Sequence, residues 1–124
     1  MSSIPLNIKY VWIKHTIYSP LTENTEVQIE SKGEYRMWRI YIEGEIDLLQ
    51  RIEGVEYRLS GYSRSVFESN DWRNNFEIKS FSNRSFEVEV SLYIRNGRLP
   101  ISDTYYLNIS RSDESGHPIP IPIP

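Results

Sequence analysis

The side chains best suited to chemistry in this chain are aromatic rings and guanidinium groups set in polar sequence. The chemistry they suit is recognition. Between residues 62 and 75 the chain is hydrophilic, yet it carries Tyr62, Phe67 and Trp72. Aromatic anchors of this kind supply contact area at binding surfaces, and loops on rigid scaffolds are where such anchors usually sit. Arg58, Arg64, Arg73 and Arg84 fall in or near the same stretch. Gathered at one end of the molecule with Tyr62 and Trp72, they would suit an acidic peptide, a nucleotide or a phosphate. Scattered, they are ordinary solvated surface, and Phe67 and Trp72 then fold back to cover a core.

The groups that catalysis or metal binding would need are mostly missing. Cysteine is absent, which removes disulfides, thiolate nucleophiles and cysteine zinc sites. The two histidines, His15 and His117, have no metal-ligand spacing with each other or with acidic clusters. Glu43, Glu45 and Asp47 surround Gly44 without the pattern of a calcium loop. Glu87 and Glu89 alternate along one strand face and lack an acid–base partner. No phosphate loop, nucleophile elbow, zinc-protease or dinucleotide motif is present. The expectation is a protein that is not an enzyme, with no cofactor and no metal.

A scaffold of strands must hold the loop residues. The chain has 124 residues, enough for one domain. It has nine tyrosines and no alanine, a bias toward strand and away from helix. Residues 6–18 read as a strand with two partly apolar faces: Leu6, Ile8, Tyr10 and Trp12 on one, Val11, Ile13 and His15 on the other. Residues 25–30 read as a second short strand. Residues 35–43 alternate most clearly, with Trp38, Ile40 and Ile42 inward. After Gly44, residues 45–53 suit one or two helical turns with Ile46, Leu49 and Ile52 on one face. Val55, Tyr57 and Leu59 mark the next strand, and Phe76 and Ile78 a short one after the polar loop. Residues 81–85 then read as loop. Residues 86–95 place Phe86, Val88, Val90, Leu92 and Ile94 inward. Asn96-Gly97 signals a hairpin turn, and the return strand turns Tyr105, Leu107 and Ile109 inward. Seven or eight short strands without a long amphipathic helix predict an all-β, immunoglobulin-like antiparallel β-sandwich.

The end of the chain, RSDESGHPIPIPIP, differs in kind. Alternating Ile-Pro enforces extended backbone. The expected organisation is a sandwich domain over residues 1–112 and a Pro-rich tail over residues 113–124. The net charge is −3 and the pI about 5.4, which does not favour nucleic-acid binding. The N-terminus has no signal-peptide pattern, and no segment has the apolar length of a membrane span. A cytoplasmic protein is expected.

Within this frame the stretch MWRIYIEG…LLQRIEGVEYRLS resembles the YEATS domain, most closely its prokaryotic branch. The matching positions run Trp38, Gly44, Ile52, Val55, Tyr57, Leu59, Phe76, Ile78, Phe86, Val88 and Val90. The resemblance implies an immunoglobulin-like sandwich whose loops at one end bind a partner. In eukaryotic members those loops clamp an acylated lysine between aromatic faces, with a His to orient it. Here Ser60 stands in place of that His, Tyr62 is the available clamp, and Asn83 stands about where the second aromatic belongs. The partner-binding residues implied are Ser60, Tyr62, Trp72, Phe81, Ser82, Asn83 and Arg84. The function expected is a non-catalytic binding or adaptor module for a protein or modified peptide, in prokaryotic signalling or defence. The alternatives are an assembly component using edge strands and the Ile-Pro tail, and an acyl-lysine or small-ligand reader with a degenerate pocket.

Overall fold

A computed structural model describes residues 7–18, 36–60, 66–97 and 99–123. The expected strand at residues 25–30, together with Tyr62 and Arg64, lies outside the described residues. The described residues form eight strands: β1 (Asn7–Tyr18), β2 (Arg36–Glu43), β3 (Ile52–Leu59), β4 (Val66–Ser69), β5 (Ile78–Ser82), β6 (Phe86–Ile94), β7 (Ile101–Leu107) and β8 (Asp113–Ile123). A six-residue helix, α1 (Ile46–Arg51), links β2 to β3. One four-stranded sheet has the order β5-β2-β1-β8 and the other β4-β3-β6-β7, and every pairing is antiparallel. None of the described residues forms a helix long and apolar enough to cross a membrane.

The two inner faces make one core, and the period-2 pattern decides which residues enter it. Trp38, Ile40 and Ile42 from β2 are fully buried, as are Tyr57 from β3 and Val88, Val90 and Leu92 from β6. In β1 the inner set is Val11, Ile13, His15 and Ile17, leaving Ile8, Tyr10 and Trp12 on the outer face. Tyr105, Leu107 and Ile109 point inward as expected. Asn96 takes a left-handed φ of 63° in the turn after β6.

Four expectations need correction. The segment read as a Pro-rich tail is strand β8, paired with β1 from Asn7↔Ile123 to His15↔Asp113. Alternate residues in a strand direct their backbone groups to opposite edges. A ladder this long cannot form if its donors are missing, so His117, Ile119 and Ile121 face β1. Pro118, Pro120 and Pro122 then put their missing N–H groups on the free edge, while Ile119 and Ile121 fill the core.

The second correction is β4, which pairs with β3 from Val55↔Ser69 to Arg58↔Val66 inside the stretch expected to be loop. In the third, α1 buries Leu48 and Leu49 and leaves Ile46 62% exposed. A helix this short that leads straight into β3 presents its middle to the core, and Ile46 at its start faces out. Finally, Phe76 precedes rather than opens a strand. It is buried with φ 53° after Asn75 at φ 55°, and β5 runs on through Phe81 to Ser82.

Candidate functional site

The sandwich has two ends, and the register assigns each implied residue to one of them. At the first end β1, β3, β5 and β7 finish while β2, β6 and β8 begin. Ser60 follows β3 there, and both its backbone N–H and its Oγ donate to the Glu87 carbonyl, at 3.0 and 3.1 Å. These two bonds fix the exit of β3 against the start of β6.

The β5–β6 turn, residues 83–85, lies at the same end. Ser82 at its root is 1% exposed. Its hydroxyl accepts from Trp38 Nε1 at 3.2 Å and donates to the Arg84 carbonyl at 3.2 Å, so it shapes the turn from beneath. Trp38 packs against Phe86, with ring centroids 5.5 Å apart. Asn83 and Arg84 are exposed at the tip. Phe81 is 60% exposed on the outer face of the sheet, opposite Met37. Ser85 Oγ accepts from Ile109 N–H at 3.0 Å, and buried Arg36 donates through Nη1 to the Ile109 carbonyl at 3.3 Å. The β7–β8 turn is thereby stitched to the β5–β6 turn.

Trp72 is at the other end. It opens a short 3-10 turn, Trp72–Asn74, capped by Asp71, which accepts from Arg73 N–H at 3.1 Å. Asn75 Nδ2 donates to the Ile42 carbonyl, and Ile42 N–H donates to the Asn75 carbonyl. That ties the turn to the far end of β2, about 20 Å from Arg36 by strand rise. Trp72 and Phe67 pack against the core, and Arg73 lies over the Trp72 ring at 5.2 Å. The structure therefore brings Ser60, Ser82, Asn83 and Arg84 to one end, with Phe81 beside them, and places Trp72 apart. Among the described arginines, Arg73 sits with Trp72 at the far end, apart from Arg58 and Arg84, and Arg58 pairs with Glu56 at 3.0 Å.

Glu43, Glu45 and the two histidines have structural partners. Glu43 pairs with Lys14, and Glu45 with Lys9. Among the described residues no group of three or more His, Asp or Glu side chains is placed to hold a metal ion. His117 Nε2 meets Asp103 Oδ2 at 2.7 Å, and that bond holds Asp103 below the usual carboxylate range. Tyr57 donates to the Phe76 carbonyl at 2.7 Å; burial, then the Glu77 charge, pushes its phenol well up. His15 is buried in a network with Tyr105 and Asp113. Sequence spacing gave no sign of it, because the three residues meet only once β8 docks on β1. An open depression of about 620 Å³ on the second sheet is lined by Glu53, Glu56, Glu68 and Tyr93.

No family model matches the chain, and no curated protein matches it. Solved structures do. The Yaf9 YEATS domain recognising an H3K122suc peptide is similar with a TM-score of 0.68 at 15% identity, over 98% of this chain and 91% of that one. A second structure of the Yaf9 YEATS domain gives 0.70 at 14% identity, over 98% and 89%. The yeast AF-9 homolog protein Yaf9 gives 0.66 at 15% identity, over 95% and 80%. These likenesses establish a YEATS-like, immunoglobulin-like sandwich as the fold.

Proposed function

We propose that this chain is a non-catalytic peptide-binding module that engages a protein partner through the end bearing Ser60 and residues 81–84. The observation that carries this reading is the fold match along nearly the whole chain to a domain solved while recognising a modified peptide. The end geometry supports it. Two turns are fixed by internal hydrogen bonds, and Asn83 and Arg84 are left at the surface. Preorganised loops of this kind lose little entropy on binding. Tyr62 lies two residues after Ser60 in sequence and is proposed as the aromatic clamp. An acylated lysine is the favoured ligand class, because its neutral amide stacks on an aromatic face. Asn83 and Arg84 add polar contacts to the flanking peptide.

Membership of the prokaryotic branch, a cytoplasmic location and a role in signalling or defence are parts of the same proposal. They draw on the sequence resemblance and the lack of cysteine. The assembly reading through β8 has less support, since Pro118, Pro120 and Pro122 leave its free edge without donors. Fluorescence anisotropy with labelled acetyl-lysine, succinyl-lysine and unmodified peptides tests the proposal. Saturable binding of an acylated peptide, weakened by the Asn83→Ala/Arg84→Ala double variant, supports it. Binding that ignores both acylation and the double variant removes it.

A further inference from the structure

His15 sits on the inner side of β1, 2% exposed, with both ring nitrogens engaged. Nε2 faces the carbonyls of Asn108 at 2.8 Å and Arg111 at 3.0 Å. It therefore carries the hydrogen and donates to both, which fixes the tautomer. Nδ1 meets the Tyr105 hydroxyl, and that hydroxyl also contacts Asp113 Oδ2 at 2.9 Å. One hydroxyl hydrogen thus serves two acceptors. The other carboxylate oxygen of Asp113 accepts from Gly116 N–H and Ser115 Oγ. The three side chains come from β1, β7 and β8, so together they fasten the β7–β8 turn to both sheets. A depression of about 500 Å³ opens over this cluster, with His15 among its lining residues.

Adding a proton at Nδ1 would supply the missing hydrogen, but it would also place a cation inside the core. Burial is the larger effect and holds His15 below its ordinary value of 6.5, against the pull of the two carbonyls and Asp113. In an opened turn the same ring is solvated and takes up a proton more readily. The surrounding charges do not reverse this balance. Arg111 and Glu114 stand at the rim of the depression, and Arg36 reaches the Ile109 carbonyl from β2. Burial, then Asp113 and Tyr41, keeps Tyr105 protonated, and Asp113 is held low. Of this cluster, His15 is the group that changes charge in mildly acidic solution.

We propose that His15, Tyr105 and Asp113 form an acid-released clasp, in which protonation of His15 opens the turn at residues 108–112 and detaches the start of β8 from β1. The turn is bonded to the candidate loop through Ile109 and Ser85. Release therefore loosens residues 82–85 as well, and only the consequence for peptide binding rests on the functional reading above.

Amide hydrogen exchange on the full chain, corrected for intrinsic rates, tests the clasp at about pH 7.5 and about pH 5, alongside a ¹⁵N titration of the histidine side chains. His15 should titrate below 6.5. Protection at residues 109–116 should fall about tenfold for each pKa unit of that depression as the ring charges. His15→Gln keeps a donor and an acceptor without titrating, and should abolish the pH dependence. Equal protection at the two pH values overturns the proposal, as does a loss that follows the His117 midpoint. If His15→Gln does not fold, the pH window of the loss decides the matter: it should begin near 6.5 and level off at the lower folded midpoint of His15. No ligand enters these measurements, so failure of the clasp is distinguishable from failure of the binding proposal.

Discussion

Replacing Ile119 and Ile121 with alanine should undo much of this fold, although both lie in a segment whose sequence reads as a Pro-rich tail. They are 1% and 0% exposed and project from β8 into the core beside β1. Truncating a buried isoleucine removes its transfer free energy and leaves a cavity, at about 2–5 kcal/mol per site. The two sites share core neighbours, so their sum is not strictly additive. Their sum of about 4–10 kcal/mol is of the same size as a typical domain stability of about 5–15 kcal/mol. Pro120, between them, is exposed with no donor to lose. Pro120→Ala should cost only about 0.4–1 kcal/mol, through the entropy of the unfolded chain. Urea unfolding followed by tryptophan fluorescence reads all three variants, since Trp38 is buried and changes environment on unfolding. A double alanine variant within about 1 kcal/mol of the parent would refute β8 as a structural strand.

Three further outcomes follow from the same structure. Tyr57→Phe leaves the buried Phe76 carbonyl without its 2.7 Å donor and should lower stability by about 1–3 kcal/mol in the same assay. Replacing Pro118, Pro120 and Pro122 together with alanine restores three donors to an exposed edge, and sedimentation should show concentration-dependent association absent from the parent. Stability should also fall on mild acidification. Because the folded value of His15 lies below 6.5, the unfolded chain binds the proton more readily. The contribution of His15 is complete above 6.5 and is lost as pH falls through that value toward the lower folded one. Urea midpoints measured across this window should decline in the parent and stay flatter in His15→Gln.

The central strands are legible in the sequence because their alternation admits one register. Sliding β6 by one residue would bury Glu87 and Glu89. Proline hides β8, since it normally argues against a strand. What rescues the strand is spacing: at every second position, all the lost donors fall on one edge. The candidate site is half legible. Ser60 and residues 81–84 come together because β3 and β5 both finish at the same end. Trp72 does not join them, because β4 carries the chain back along β3 to the opposite end. A four-residue strand with the pattern Val-Phe-Glu-Ser gives too short an alternation to announce that reversal. The His15 cluster has no sequence signal, since its members are brought together only by pairing of the first and last strands.

Chemical-shift mapping with an acylated-lysine peptide tests the account most directly. In a ¹⁵N-labelled sample, the largest perturbations should fall on Ser60 and on residues 83–85, with smaller ones at Ile109 through its bond to Ser85. Perturbations centred on Trp72 and α1, or none at saturating peptide, would contradict a binding site at the Ser60 end of the sandwich.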